Sequence, residues 1–206
     1  MLKRYLLASL AAAVVMMIWG AVWWALSPVG FMVMEGAPDE AVVSLLSDTL
    51  REKGQGVYFY PWASEREASD PAAIEAFYEQ HRRGPLVQIF YQPEGGEPMS
   101  PKVFVGGFLH LLASSLLVGA LLLMAAPALP TYSRRVLFVF LAGTFAGVVV
   151  ELGKPIWFYH AWDYSLYAAF FHVTGWLLAG LVMAAILKPG FVVVANAHPD
   201  AGSAAG

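Results

Sequence analysis

Residues 103–135 read VFVGGFLHLLASSLLVGALLLMAAPALPTYSRR, and this stretch decides the fold. From Val103 to Leu129 it holds no Asp, Glu, Lys or Arg, and His110 is its one ionisable side chain. At 1.5 Å per residue such a run spans roughly 40 Å as a helix, more than the ~30 Å of a bilayer's hydrocarbon. Pro127 and Pro130 mark its end, Arg134 and Arg135 follow, and a second apolar run starts at once with Val136. The Thr131–Arg135 turn is so short that the helices it joins are expected to be antiparallel neighbours.

Working outward, the same pattern recurs. Tyr5–Leu26 and Ser165–Leu187 are also long apolar runs, and the run from Val136 ends near Tyr159. Lys3 and Arg4 precede the first run, Arg134 and Arg135 separate the second from the third, and Lys188 closes the fourth. If each run crosses a bilayer, all three basic marks fall on one side. Positive charge gathers on the cytoplasmic side, so both termini are expected there. The fold class that follows is a membrane all-α protein of four transmembrane helices, with a small extramembrane α/β segment between helices 1 and 2. Its parts are an N-terminal anchor (1–26), an extracytoplasmic segment (27–102), a three-helix region (103–187) and a cytoplasmic tail (188–206).

Composition agrees. The 206 residues are 59% hydrophobic and 13% charged, against about 45–50% and about 25% in soluble domains. Twelve of the fifteen Asp and Glu lie between Glu35 and Glu97. Clustered Lys and Arg, the footprint of a nucleic-acid surface, are missing. Cysteine is absent, which excludes disulfides, thiolate metal sites and Cys nucleophiles.

The first run rivals a signal peptide. A signal's apolar core is about 7–15 residues, this one is about 22, and Pro28 follows the Ala25-Leu26-Ser27 triplet that resembles a cleavage site. A retained anchor is therefore expected. Trp23 and Trp24 near its end, and Trp157 and Trp162 in the aromatic stretch Ile156–Tyr164, read as interfacial anchors, because indole rings prefer the headgroup layer.

In the outer segment, Pro38-Asp39-Glu40 opens a helical pattern carrying Val42, Val43, Leu45, Leu46 and Leu50, ended by Gly54 and Gly56. Val57–Tyr60 reads as a strand stopped by Pro61. Asp70 is an N-cap with Pro71 at the first helical position, and that helix ends near Gly84. Leu86–Tyr91 is a second strand, paired either through a parallel crossover or antiparallel. Two strands alone are marginal, so the segment is expected to lean on the membrane, on the helices or on another subunit. Phe191–Ala195 in the tail is expected to reach the membrane surface.

His110, Glu151 and His172 lie inside the apolar runs, where ionisable groups are costly and normally face a partner or a cavity. Helix direction gives depth. His110 and His172 each fall about 10 Å below the outer boundary, and Glu151 about 12 Å, so three helices contribute to one layer. Gly143, Gly147 and Glu151, spaced by four, share a face, and Gly143-x-x-x-Gly147 permits close helix packing. The layer suits several chemistries. His110 and His172 fit axial ligands of a b-type haem, and together with Glu151 a divalent metal such as zinc or iron; a proton relay or a quinone pocket are further readings. The plainer reading is a hydrogen-bonded cluster that fixes helix register, with Lys154 pairing Glu151 from three residues on. His81-Arg82-Arg83 reads as a helix C-terminal charge cluster. His160, Trp162 and Asp163 form an interfacial rim. Ser114 beside His110 is expected to bond a backbone carbonyl. Nucleotide motifs and a nucleophile elbow are absent from the sequence.

Trp19-Gly20 with Trp23, Gly56-Val57-Tyr58, Gly84-Pro85 and Gly175-Trp176-Leu177-Leu178-Ala179-Gly180 together resemble small bacterial inner-membrane proteins built from an N-terminal span, a periplasmic segment and three C-terminal spans. The resemblance extends over most of the chain. It implies location and topology, and brings no established activity or site residue. The functional expectation is a non-catalytic accessory protein, a subunit or assembly factor of a larger membrane complex, with the bilayer, other membrane subunits or a second copy as partners and no nucleic acid. The alternative is a haem- or metal-binding redox protein using His110, His172 and Glu151.

Overall fold

A computed structural model of the chain describes residues 2–37 and 39–188. Pro38 and the tail 189–206, with its Phe191–Ala195 stretch, lie outside the described residues. Four long helices dominate. The first is α1 (Leu2–Ala21), which continues as a π-helical turn, Val22–Leu26, and is followed by a single-turn α2 (Gly30–Val33). After the outer segment come α5 (Pro101–Ala125), α6 (Tyr132–Gly147), a π-helical turn (Val148–Leu152), α7 (Gly153–Trp157) and α8 (Trp162–Ile186). Four continuous helical stretches, Leu2–Leu26, Pro101–Ala128, Tyr132–Trp157 and Trp162–Ile186, are each long and apolar enough to span a membrane.

The chain divides into two compact units. The four long helices form one, and Glu35–Pro98 with Trp157–Tyr159 form the other. The aromatic stretch Ile156–Tyr164 is thus divided: Trp157–Tyr159 belong with Glu35–Pro98, the unit that the sequence reading expects outside and that is called the outer unit below.

In the helical unit α8 packs against α6 and α1, and α1 packs against α5. Direct contact between α5 and α6 is slight despite their short connection, so they are not the close neighbours that the turn length suggested. The physical reason lies in side-chain size. Helices approach most closely where small residues let their backbones meet. Those residues sit on α1, with buried Ala8, Ser9, Ala12 and Ala13, on α8, with Ala168, Ala169, Gly175, Ala179, Gly180 and Ala184, and on α6, with Gly143 and Gly147 facing α8, whereas the buried Ser115 and Gly119 of α5 meet α1. Met16, Leu122, Val139, Trp176 and Met183 complete the core. The outward faces are apolar as well: Leu7, Leu117, Leu141, Phe145 and Phe170 are all exposed.

Hydrogen bonds between helices fix the register. Tyr5 donates to the Leu116 carbonyl at 2.8 Å, and Trp19 Nε1 donates to Thr174 Oγ1 at 3.0 Å. At the far end, Arg135 is buried and donates to the carbonyls of Leu129 and Leu187. It thereby satisfies an orphan acceptor at the end of α8. Thr131 caps α6 by accepting from Arg134 N at 3.3 Å.

The outer unit runs α3 (Glu40–Leu50), β1 (Gly56–Tyr60), α4 (Pro71–Arg83) and β2 (Val87–Tyr91), the order read from sequence. Asp39 and Asp70 cap the two helices, each accepting a backbone N–H at 2.9 Å. Gly54 and Gly84 end them with positive φ, 82° and 69°, a conformation without steric cost only for glycine. The strands are antiparallel, with Gly56 opposite Tyr91 and Tyr60 opposite Val87, which resolves the pairing against a parallel crossover. Between β1 and α4, Ser64 and Glu67 cap one another, Ser64 Oγ donating to Glu67 at 2.6 Å and Glu67 N to Ser64 Oγ at 3.3 Å. The hydroxyl and amide of Ser64 hold the Glu67 carboxyl below its usual range.

Candidate functional site

The structure joins Glu151 and His172 and adds Lys154. Glu151 sits in the π-helical turn, 5% exposed. Its Oε2 accepts from Lys154 Nζ at 2.7 Å, and its Oε1 lies 3.5 Å from His172 Nε2. A π-helical turn is uncommon and often accompanies a functional side chain. Here it has a local geometric effect. Steps of four residues drift around an α-helix by about 40° each, and the wider turn counters that drift, keeping Glu151 on the α8 side that Gly143 and Gly147 already face.

Those two glycines are the packing surface that the spacing predicted. A Cβ on Gly143 would lie 2.0 Å from Trp176 Cγ, and one on Gly147 would lie 3.1 Å from His172 Cβ. Trp176 therefore lies directly over Gly143, and His172 follows one turn along α8. The close approach at the two glycines is what delivers His172 to Glu151.

His110 stands apart. It lies on α5 and is exposed. Its backbone carbonyl accepts from Ser114 Oγ at 3.0 Å, the bond expected of that serine. Among the described residues, no group of three His, Cys, Asp or Glu is placed to hold a metal ion. The constellation present is a carboxylate held between an ammonium and an imidazole. It can store or pass a proton between Glu151 and His172, and it can lock α6 to α8.

The aromatic residues also find specific places. Trp23 stacks on Tyr167 with centroids 4.9 Å apart, and the Tyr167 hydroxyl donates to the Trp23 carbonyl at 2.5 Å. Trp24 meets Tyr167 and Phe171 edge-on. These two indoles thus brace α1 against α8. Trp157 and Trp162 are exposed, at 75% and 54%. Asp163 accepts from the Tyr164 amide at 2.7 Å. Arg82 pairs with Glu75 and Glu79 at 2.7 and 2.8 Å, and these carboxylates raise its already high pKa. His81 does not join this network: its ring packs against Phe77 and Tyr159.

A groove of about 360 Å³ in the outer unit escaped the sequence reading. Its walls come from β1, β2, the last turns of α4 and Trp157–Tyr159. The aromatic run was legible, but its partition between two units was not, because a linear pattern does not show which side of a turn packs where. Comparison with protein-family models, curated proteins and solved structures gives no match to this chain.

Proposed function

We propose that this protein is a non-catalytic accessory component, a subunit or assembly factor, of a larger complex in the bacterial inner membrane. Both termini are cytoplasmic, and residues 27–102 lie outside. One observation carries the reading. In the described residues of the outer unit only Leu50 and Pro61 are buried, so the unit encloses almost no core of its own. α3 is the sharpest case. Its Val42, Val43 and Leu45 are 45–67% exposed, and its one extensive contact is with the helical turn that follows it. An apolar helix face of this kind is stabilised when another surface covers it. Glu40 and Asp48 also lie on α3, and a protein cover can answer these carboxylates with basic side chains. The Glu151–Lys154–His172 cluster then serves to hold α6 and α8 in register.

The test is purification from the native membrane at native abundance in a mild detergent. The expected result is a stoichiometric complex, dispersed by Val43→Asp or Leu45→Asp on α3 without loss of the helical unit. A monodisperse monomer with no bound subunit contradicts the proposal.

A further inference from the structure

The groove of the outer unit has a chemistry of its own. Two short chains of rings line it. Phe59 lies 6.0 Å from Trp62 with the planes inclined by 27°, and 6.4 Å from Phe158. His81 lies 5.9 Å from Phe77 and 5.6 Å from Tyr159. The cavity, about 360 Å³, is within the range of small-molecule sites. Its lining contains no Asp, Glu, Lys or Arg. An anionic ligand would find no guanidinium or ammonium there, and a metal ion would find a single imidazole.

Charge selects among the ligands that remain. From Glu35 to Glu97 the chain carries twelve Asp and Glu against five Lys and Arg, so the unit attracts cations at long range. Phe77 and His81 belong to the last two turns of α4, the end where helix carbonyls favour positive charge. Arg82 on that turn is turned back onto Glu75 and Glu79. The faces of Trp, Tyr and Phe attract a cation that has shed its water, and methylated ammonium groups shed water most easily. Tyr159 adds an independent sign. Its φ of 57° is the single positive value among the described non-glycine residues, and such strain clusters at ligand clamps.

We propose that this groove binds an organic cation bearing a quaternary ammonium group. The cation seats between the Phe59–Trp62–Phe158 wall and the Tyr159 side, held by ring faces and by the negative field of the unit. The proposal is independent of the accessory role.

The test uses the full chain in an uncharged maltoside detergent. Choline is titrated against its neutral carbon isostere, 3,3-dimethylbutan-1-ol, by calorimetry and tryptophan fluorescence. Saturable binding of choline, at least about tenfold tighter than the isostere, is expected. Trp62→Leu and Phe158→Leu should each weaken it several-fold, whereas Phe90→Leu, exposed on the sheet outside this groove, should not. Thermal melts identify any variant that has lost its fold, and the remaining one then carries the comparison. Equal binding of the isostere overturns the proposal in favour of a plain apolar or peptide groove. Absence of saturable binding to either probe overturns it as well. Nanodiscs separate the two sources of the group. Loss of choline binding in phosphatidylcholine but not in phosphatidylglycerol assigns the site to a lipid headgroup, and retention in both assigns it to a soluble cation; either result supports the chemistry.

Discussion

Gly143→Ala is expected to destabilise the helical unit by about 1–3 kcal/mol, the usual cost of forcing an extra group into a packed interior. The new methyl would stand 2.0 Å from Cγ and 2.1 Å from Cβ of Trp176. Neither atom is the far end of a flexible side chain. Trp176 is only 6% exposed and Ala179 beside it is fully buried, so the ring has nowhere to go unless α6 and α8 separate. Separation also undoes the 3.5 Å approach of His172 to Glu151. The measurement is thermal unfolding in detergent, followed by circular dichroism. Gly106→Ala is the control, since a Cβ there meets nothing within 4 Å, and it should leave the melt unchanged. Adding Trp176→Leu to Gly143→Ala should recover part of the loss. Equal melts for the Gly143 and Gly106 variants would show that the packing described here is wrong.

The second large effect belongs to the ion pair. Lys154→Met leaves the Glu151 carboxylate buried, with only His172 at 3.5 Å to answer it. Stranding one member of a buried pair costs about 3–5 kcal/mol. Lys154 is 34% exposed on its side chain, so the lower end of that range is expected. Removing both charges, in Glu151→Gln with Lys154→Met, should restore most of the stability, because the charged pair itself contributes little beyond compensating its own desolvation. Chemical unfolding of the two single variants and the double variant gives the coupling. If the double variant is as unstable as the sum of the singles, the pair is not a unit.

Both predictions show where sequence reasoning reached and where it stopped. Long apolar helices, caps and strand order were legible because each follows from local chemistry: Asp70 with Pro71 opens a helix, and Gly84 with positive φ ends one. The Gly143–Gly147–Glu151 face was legible from spacing alone, and so was the pairing of Glu151 with Lys154 three residues on. The order of helices in the bundle was not. Turn length suggested α5 beside α6, while packing followed the small residues of α1, α6 and α8, a property of paired surfaces that no single segment displays. His110 lies on a helix that packs chiefly on α1, so a similar position along its helix does not by itself bring it to Glu151 and His172. His81, Arg82 and Arg83 do form the basic last turn of α4, as read, but the aromatic contacts of His81 were not legible. Side chains at successive helix positions diverge by about 100°, and that divergence sends Arg82 to Glu75 and Glu79 and His81 to the aromatic groove.

The proposed arrangement of the four long helices across a bilayer rests on the basic marks at Lys3-Arg4, Arg134-Arg135 and Lys188. Since the chain has no cysteine, single cysteines report on it without background. Glu94→Cys, in the outer unit, and Ser133→Cys, in the first turn of α6, should behave oppositely toward a membrane-impermeant maleimide. Labelling of Glu94→Cys in intact spheroplasts, with Ser133→Cys labelled only after lysis, is the expected result. Labelling of both from the same side, or of Ser133→Cys alone in intact cells, contradicts the four-span topology with cytoplasmic termini.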